Sequence, residues 1–242
     1  MANLAFKFLP PRHAERWHAF KGDVSYAIAL ERFGPRLARR ILWRVETKEK
    51  IVALSFDDGP HPHHTPEILD LLDEHKISAT FFLVGRHVRQ HPMLARRIAG
   101  GMHEIGNHTL SHRMLPFLRD EKIVHEIRHT GEIIGEVTGR TAQLFRPPMG
   151  LFSKRVVDLV EQCGCKVVIG DVYPRDPQRP GREKIYRRVV NRVQPGSIII
   201  LHDGGNTRHV DRSQTVWAVR QIIRHLMEKN YRFVTISALA NS

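Results

Sequence analysis

The sequence has few cysteines, few aromatic residues and no long apolar run. Its only two cysteines, Cys163 and Cys165, are too close together to bridge easily in an extended chain. They also lack the repeated pairs of a cysteine-type zinc site, so a disulfide or cysteine-zinc scaffold is excluded. The longest strongly apolar run, Ile198–Leu201, is far shorter than the roughly 20 residues that span a bilayer. Residues 1–30 contain no basic stub followed by an apolar block, so we expect no cleavable signal peptide.

Basic residues outnumber acidic ones, 38 to 25, and the excess is largest near the start of the chain. Residues 1–50 hold 11 basic and 5 acidic residues. On a helix, Arg36, Arg40 and Arg44 would form a basic row beside an apolar one. That helix could lie on an anionic membrane or polymer, or it could pack on the rest of the protein, and we favour packing. Only 7% of residues are aromatic and no nucleic-acid-binding module is present, so no nucleic acid partner is expected.

After residue 50, short β-rich runs alternate with helical stretches, which is typical of an α/β protein with a parallel sheet. We predict a closed or nearly closed barrel formed by one domain, residues 48–242, preceded by a basic extension, residues 1–47. Thr65 and Ser153 are expected to cap helices that begin at the following residue. The predicted strands are Ile51–Phe56, Thr80–Val84, His103–Ile105, Gln143–Phe145, Val167–Gly170, Ile198–Leu201 and Arg232–Ile236. The predicted helices are Pro66–Glu74, Pro92–Ala99, Glu121–Val137, Lys154–Gln162, Arg182–Arg192 and Val210–Lys229.

Polar residues follow five of these strands, at the edge where barrels of this kind place their chemistry. They are Asp57 and Asp58, His108 and His112, Arg146, Asp171 and Asp176, and His202 and Asp203. Convergence of five strand ends on one face predicts a functional site.

The histidines and aspartates of this set favour a metal site. His108 and His112 are four residues apart, so on one helical turn they would share a face. A carboxylate from the first strand would complete the open three-ligand set of catalytic zinc. Structural alternatives stay open, because Asp58 could cap a turn, Arg146 could form a buried ion pair, and His202 could be a core histidine. Adjacent strand residues point to opposite faces, so the first strand must end at Asp57–Asp58 if both carboxylates serve the site.

Four motifs occur in an order that carries a family resemblance. They are S-F-D-D-G-P at Ser55–Pro60, H-T-L-S-H at His108–His112, R-P-P-M-G at Arg146–Gly150 and L-H-D at Leu201–Asp203. Over roughly residues 48–240 the chain resembles the metal-dependent polysaccharide deacetylases (the NodB-homology domain, a carbohydrate esterase family). The resemblance implies a distorted (β/α) barrel with about seven parallel strands. It also implies hydrolysis of N-acetyl or O-acetyl groups on sugars such as chitin oligomers, peptidoglycan or xylan.

The resemblance also implies a role for each matching residue. Asp58, His108 and His112 correspond to the metal ligands, with Zn²⁺ expected and Co²⁺ as an alternative ion. Asp57 corresponds to the general base and Arg146 to the residue that holds it. His202 corresponds to the general acid, supported by Asp176. Substrate or oxyanion contacts are expected from Met149, Ile200 and Tyr173, with Ile200 as a wall for the acetyl methyl group.

Two motifs depart from the family pattern. Between R-P-P-M-G and L-H-D the family has a further motif of about D-x-x-D-W, which is its fourth, and the aligned stretch here is Tyr173–Pro177. In the third motif, Met149 stands where an aromatic residue is common. Asp171 could compensate for the missing first aspartate. The loss of two aromatic platforms leaves open a shorter, branched, lipid-linked or non-carbohydrate amide substrate. The segment His61–His64 is interpreted as an exposed loop rather than a second metal site.

Two alternatives to an acetylated glycan substrate in bulk solution stay open. One is a deacetylase or deformylase of a lipid-linked sugar or non-carbohydrate amide at the cytoplasmic membrane face, engaged through residues 1–47. The other is a non-catalytic binding module. The expected location is cytoplasmic or peripheral to a membrane, and the sequence predicts no oligomeric state.

Overall fold

The computed structural model describes residue 37, residues 39–206 and residues 210–242. Within those residues the chain forms seven strands, eight α-helices and three short 3-10 turns. The strands are β1 Ile51–Gly59, β2 Thr80–Leu83, β3 Glu104–Asn107, β4 Leu144–Phe145, β5 Lys166–Val167, β6 Ile198–His202 and β7 Arg232–Phe233. The helices are α1 His64–Glu74, α2 Gly85–Gln90, α3 Pro92–Gly100, α4 Asp120–Thr138, α5 Lys154–Gln162, α6 Arg182–Val190, α7 Ser213–Glu228 and α8 Ile236–Ala240. The 3-10 turns are Leu115–Phe117, Pro148–Gly150 and Asp176–Gln178.

The seven strands form one parallel sheet in the order β5-β4-β3-β2-β1-β6, and β7 pairs with the start of β1. The chain beyond β5 returns to the far edge of the sheet. There Val172 bridges Ile199, and the Ile200 amide donates to the Val172 carbonyl over 2.9 Å. This contact brings the two edges together as a distorted barrel, and the α/β barrel prediction is confirmed.

Strand β1 is central and buried along its whole length. Its apolar residues face packed layers on both sides, as is typical of strands in a parallel sheet covered by helices. On one side, Val52, Leu54 and Phe56 pack in a cluster with the buried faces of α1 and α7. On the other side, Ile51 and Ala53 pack with β6 and α8. The packing fixes β1 in place and leaves its carboxyl end at the edge where the polar residues gather.

Residues 42–45 lie in extended backbone between the sheet edges. The Leu42 amide donates to the Val167 carbonyl over 2.9 Å, the Ile169 amide to the Leu42 carbonyl over 2.9 Å, and the Val45 amide to the Gly196 carbonyl over 2.9 Å. The helix prediction is therefore wrong for this stretch, where pairing with strand neighbours overrides the helical charge pattern.

The described part of the basic row contacts the rest of the protein, although not as the helix with solvated arginines that the packing interpretation assumed. Arg40 makes ion pairs with Glu161 at 2.6 Å and Asp158 at 2.7 Å. Arg36 lies outside the described residues. The division at residue 47 stays a prediction, although Leu42 and Val45 contact the barrel directly.

Several element boundaries differ from the predicted ones. Helices α2 and α8 were not predicted, and β5 and β7 are shorter than expected. Ser153 caps α5 as predicted, accepting a hydrogen bond from the Val156 amide. The prediction for Thr65 is wrong, because α1 begins at His64, two residues earlier than predicted, and Thr65 lies inside its first turn. None of the helices in the described ranges is both long enough and apolar enough to cross a membrane.

Candidate active site and metal centre

A cavity of about 390 Å³ opens at the carboxyl edge of the sheet. Nine of the ten residues predicted for the site line it, and the tenth, Asp176, lies directly behind His202. The nine are Asp57, Asp58, His108, His112, Arg146, Met149, Tyr173, Ile200 and His202. The structure thus brings together residues from five separate segments of the chain.

Both aspartates of the first motif reach this cavity because β1 is irregular at its end. We expected the strand to end at Asp57–Asp58. Instead it continues to Gly59, and its register with β2 shifts between Asp57 and Gly59. Asp58 adopts a positive φ of 73°, which breaks the alternation of side chains. Gly59 is required here, because a Cβ atom would lie 2.3 Å from Oδ2 of Asp203.

His108 and His112 lie in a tight loop after β3, not on a helical turn as predicted. Thr109 and His112 have positive φ angles of 68° and 55°, and the two histidine rings are 4.9 Å apart. The loop is closed by its own side chains, since Asn107 Oδ1 accepts from the Thr109 amide and Thr109 Oγ1 from the His112 amide. The loop geometry therefore achieves the pairing that a helix was expected to provide.

A buried carboxylate from helix α4 supports this loop. Glu126, only 1% exposed, accepts hydrogen bonds of 2.8 Å from both the amide and the hydroxyl of Ser111. Asn107 is tied to the same helix by a 2.8 Å bond to the Ile127 carbonyl. The loop that carries His108 and His112 is thus bonded to α4 at two points, through Asn107 and Ser111.

Asp58, His108 and His112 form a group whose donor atoms lie within 4.8 Å of one another. Nε2 of His108 is 3.4 Å and Nε2 of His112 is 3.0 Å from Oδ1 of Asp58. Burial raises the pKa of Asp58, but hydrogen bonds and charge from the surrounding histidines outweigh it and hold that pKa well below its usual range.

These residues fit a divalent transition metal. Nδ1 of His108 must donate to the Arg146 carbonyl, 2.7 Å away, which leaves the lone pair of Nε2 facing Asp58. The side-chain amide of Asn206 lies 2.7 Å from Nδ1 of His112. Two imidazoles and one carboxylate form the open ligand set of catalytic zinc sites.

Asp57 is held by an arginine under the cavity floor. The Arg146 guanidinium donates to Oδ1 of Asp57 over 2.6 Å and to the Ser55 hydroxyl over 2.8 Å, and it stacks 4.0 Å from the Phe82 ring centroid. Both partners of this ion pair are almost fully buried. The carboxylate of Asp57 is therefore held in the cavity that Asp58, His108 and His112 also line.

His202 is held by a second buried carboxylate. Nδ1 of His202 contacts Oδ1 of Asp176 at 3.0 Å, and Oδ2 of Asp176 accepts from the His202 amide and the Thr215 hydroxyl. Burial lowers the pKa of His202, but the charge and hydrogen bond of Asp176 outweigh it, followed by the charges of Asp58 and Asp57, and raise the pKa to about 9. His202 is thus protonated at neutral pH and can donate a proton into the cavity. The Tyr173 ring lies 6.0 Å from the His202 ring.

Two further predictions concern residues near the cavity. Asp171 lines the cavity, and its carboxylate accepts from the Ile198 amide at 2.7 Å and the Ser197 hydroxyl at 2.9 Å. Its compensation for the altered fourth motif stays a prediction. His61 is buried rather than exposed, and its Nδ1 accepts from the amides of His63 and His64. Among the described residues, the grouping of metal-ligating side chains is limited to Asp58, His108 and His112.

Sequence reasoning missed several residues that hold the site. Ser55 and Thr109 stood inside quoted motifs, and their hydroxyls could have been assigned to hydrogen bonds there. Glu126 and Thr215 had no local signal, because each meets its partner only through the fold. The role of Thr65 was also missed: it was predicted as a helix cap, but its hydroxyl donates to Asp203 over 2.5 Å.

Comparison with known proteins agrees with this geometry, which is that of a hydrolytic metalloenzyme. The family model for polysaccharide deacetylase matches residues 44–168. The chain belongs to the polysaccharide deacetylase family, and it is an enzyme of the deacetylase class that acts on amide bonds.

Two curated relatives are similar over most of their length. A peptidoglycan-N-acetylglucosamine deacetylase of Bacillus cereus is 41% identical over 201 residues, covering 82% of this chain and 92% of the relative. A chitooligosaccharide deacetylase of Rhizobium leguminosarum bv. trifolii is 37% identical over 190 residues, covering 76% of this chain and 88% of the relative.

The fold also matches solved structures of this family. One is a CE4 family pseudoenzyme from Bacillus anthracis, with a TM-score of 0.76 and 28% identity, covering 83% of this chain and 68% of that one. Because such a neighbour exists, the fold by itself does not establish turnover, and the residues of the cavity carry that argument.

Proposed function

We propose that this protein is a zinc-dependent deacetylase that hydrolyses N-acetyl groups on chitooligosaccharide-type or peptidoglycan-type glycans. The observation that carries the proposal is the convergence of Asp58, His108 and His112 beside Asp57 and His202 in one cavity. The names of the two curated relatives support an acetylated glycan as the substrate. O-acetyl esters on glycans remain a second substrate group, since the same residues can hydrolyse them.

In this mechanism Asp57 is the general base that takes a proton from the attacking water. The Arg146 ion pair holds the Asp57 carboxylate at the cavity. A zinc ion held by Asp58, His108 and His112 would lower the pKa of a water and polarise the acetyl carbonyl.

The remaining steps use other residues of the cavity. His202, protonated and held by Asp176, donates a proton to the departing amine. Ile200, 8% exposed on the cavity wall, would contact the acetyl methyl group. Met149 has a positive φ of 58° and lines the opening, where we place its backbone N–H as an oxyanion donor. Tyr173 would contact the sugar.

A non-catalytic binding role is the competing hypothesis, and the structural likeness to a pseudoenzyme makes it worth testing. This chain retains the complete set of base, acid and metal ligands proposed above, with each partner in hydrogen-bonding distance. The alternative of a lipid-linked substrate at the membrane face depends on residues 1–47, most of which lie outside the described residues. It is tested by including a lipid-linked sugar among the substrates.

The test is acetate release from chitin oligomers, peptidoglycan fragments, acetylxylan and a lipid-linked N-acetylated sugar, each with added zinc. We expect release from at least one glycan, and Asp57→Asn to lower kcat by about 10²- to 10⁴-fold because the base is lost. Zinc content measured by elemental analysis should be unchanged in that variant, because Asp57 is not placed among the ligands.

The matched control is Asp70→Asn, an exposed aspartate on α1 that pairs with Arg97 far from the cavity, and it should keep full activity. Failure of the wild-type protein to release acetate from every substrate would contradict the proposal. Normal turnover by Asp57→Asn would remove Asp57 from the mechanism.

A further inference from the structure

The cavity wall carries two arginines, Arg175 and Arg212, that the proposed hydrolysis does not use. Arg212 is only 7% exposed, so its guanidinium lies largely beneath the protein surface. A buried cation costs several kcal/mol of solvation unless an anion or several acceptors compensate it. The acceptors and anions near each arginine therefore indicate whether the cavity could bind an anionic ligand.

Arg212 donates hydrogen bonds to a backbone carbonyl and to an imidazole nitrogen. Its Nε donates to the Gly204 carbonyl over 2.8 Å, and its amide donates to Nε2 of His64 over 3.1 Å. The neighbouring aspartate, Asp211, pairs with Arg179 instead, at 2.6 Å. In the parts of the chain that the structure covers, no carboxylate lies within 4.0 Å of the Arg212 guanidinium.

Arg175 is held at the cavity by the backbone of its loop. Its φ is +61°, and the preceding carbonyl, that of Pro174, accepts a 2.7 Å hydrogen bond from Arg188. Arg175 also forms no ion pair with any described carboxylate. The pKa of Arg192 is lowered first by burial and then by the charges of Arg188 and Arg175, so positive charge is concentrated behind this wall.

The acidic residues of the cavity do not neutralise this wall. Asp57 is paired with Arg146, Asp58 faces the two imidazoles, and Asp171 is bonded to Ser197 and Ile198. Each of them already has its own compensation. Arg175 and Arg212 therefore line the cavity as cations, and no carboxylate of the described residues forms an ion pair with either of them.

We propose that Arg175 and Arg212 bind an anionic substituent, a carboxylate or a phosphate, carried by the acetylated sugar substrate. The inference rests on the proposed function and specifies its substrate class. A guanidinium matches both anions through paired N–H donors. Anion binding by these arginines also accounts for the lack of aromatic side chains at Met149 and Pro177. Ion pairing with the substrate would supply the binding energy that stacking on a sugar ring would otherwise provide.

The experiment compares kcat and KM on three acetylated substrates: a neutral chitooligosaccharide, a peptidoglycan glycan whose N-acetylmuramic acid carries a carboxylate, and UDP-N-acetylglucosamine. Wild-type kcat/KM should be at least about tenfold higher on one of the two anionic substrates than on the neutral one. Which anionic substrate is preferred distinguishes the carboxylate from the phosphate. Arg175→Gln and Arg212→Gln should each lose about tenfold to a hundredfold on that substrate through KM, and change little on the neutral one.

Arg179→Gln is the matched control, because Arg179 is exposed, belongs to the same loop and pairs with Asp211 outside the cavity. Arg179→Gln should leave the ratio of kcat/KM between anionic and neutral substrates unchanged. Arg212→Lys keeps the charge and is expected to recover part of the anionic preference, and if Arg212→Gln does not fold then Arg175→Gln and Arg212→Lys decide the matter.

Equal losses on neutral and anionic substrates would overturn the inference, since they would show that the arginines only fix the loops. A wild-type preference for the neutral oligosaccharide would also overturn it. Absence of acetate release from all three substrates would instead contradict the proposed function, and the two failures are therefore distinguishable.

Discussion

At the scale of single residues, the site depends on which atom of each side chain is already engaged. Nδ1 of His108 is bound to a carbonyl, so only Nε2 can serve a metal. Oδ1 of Asp57 is bound to Arg146, which orients the carboxylate for its proposed role as a base. His202 is bound to Asp176, so it is kept protonated as an acid. The proposed roles of base and acid follow from these opposite partners.

The pairing of His202 with Asp176 predicts the alkaline side of the pH–rate profile. The active form of His202 is protonated, so the rate should fall as pH rises through its pKa of about 9. Asp176→Asn keeps the shape but removes the charge that raises this pKa, so the fall should begin at least about one pH unit lower. The protonated form also stabilises the fold, and that stabilisation is lost as pH rises toward 9.

The measurement is kcat as a function of pH for wild type and Asp176→Asn. Asp211→Asn is the control, because its carboxylate pairs with exposed Arg179 instead of His202. An alkaline limb at the same pH in wild type and Asp176→Asn would contradict the assignment of Asp176 as the partner that sets the acid.

At the scale of elements, helix α4 positions the loop that carries two of the three proposed metal ligands, His108 and His112. Glu126 accepts both donors of Ser111. Glu126→Ala should leave these donors unsatisfied and weaken zinc affinity by about 10- to 100-fold, because groups behind metal ligands orient them. Glu126→Gln keeps one acceptor oxygen and should recover part of that loss.

Zinc affinity is measured by competition with a chelating dye, so the readout does not depend on turnover. Glu132→Gln is the control on the same helix, since Glu132 is exposed and contacts only His129 among its described partners. Zinc affinity of Glu126→Ala equal to that of wild type would show that the loop keeps its shape without α4.

The order and type of most elements could be predicted from the sequence, because apolar strands and amphipathic helices alternate after residue 50. Backbone shape at the site could not. The positive φ angles of Asp58 and His112 are stabilised by contacts far along the chain, and a helical turn was the wrong expectation for His108–His112. The extended stretch at Leu42 was also missed, since its partners Val167 and Ile169 are more than 120 residues away.

The candidate site was easier to predict than the loops that build it. The motifs and the residues next to them named all ten candidates in advance, and nine of them line one cavity. The supporting residues Glu126 and Thr215 and the cavity residue Arg212 lie in no quoted motif, and Arg175 lies in one but was given no role there. Their importance depends on distances between segments that only the fold determines.

At the scale of the whole molecule, barrel closure sets the shape of the cavity. Val172 pairs with Ile199 on β6, and residues 42–45 pair with the chain after β5 and before β6. The same closure brings Tyr173 and Arg175 to the cavity that Asp58, His108 and His112 also line. The proposed substrate contacts and the proposed metal ligands are thus connected through the sheet.

The central claim is that Asp58, His108 and His112 bind one divalent cation. The most direct measurement is anomalous diffraction at the zinc edge from crystals of the wild-type protein grown with zinc. The account predicts one strong peak about 2.0–2.2 Å from a carboxylate oxygen of Asp58 and from Nε2 of both histidines. An anomalous peak at another position in the zinc-loaded protein would contradict this claim. Full acetate release by chelated protein that shows no peak would contradict it as well.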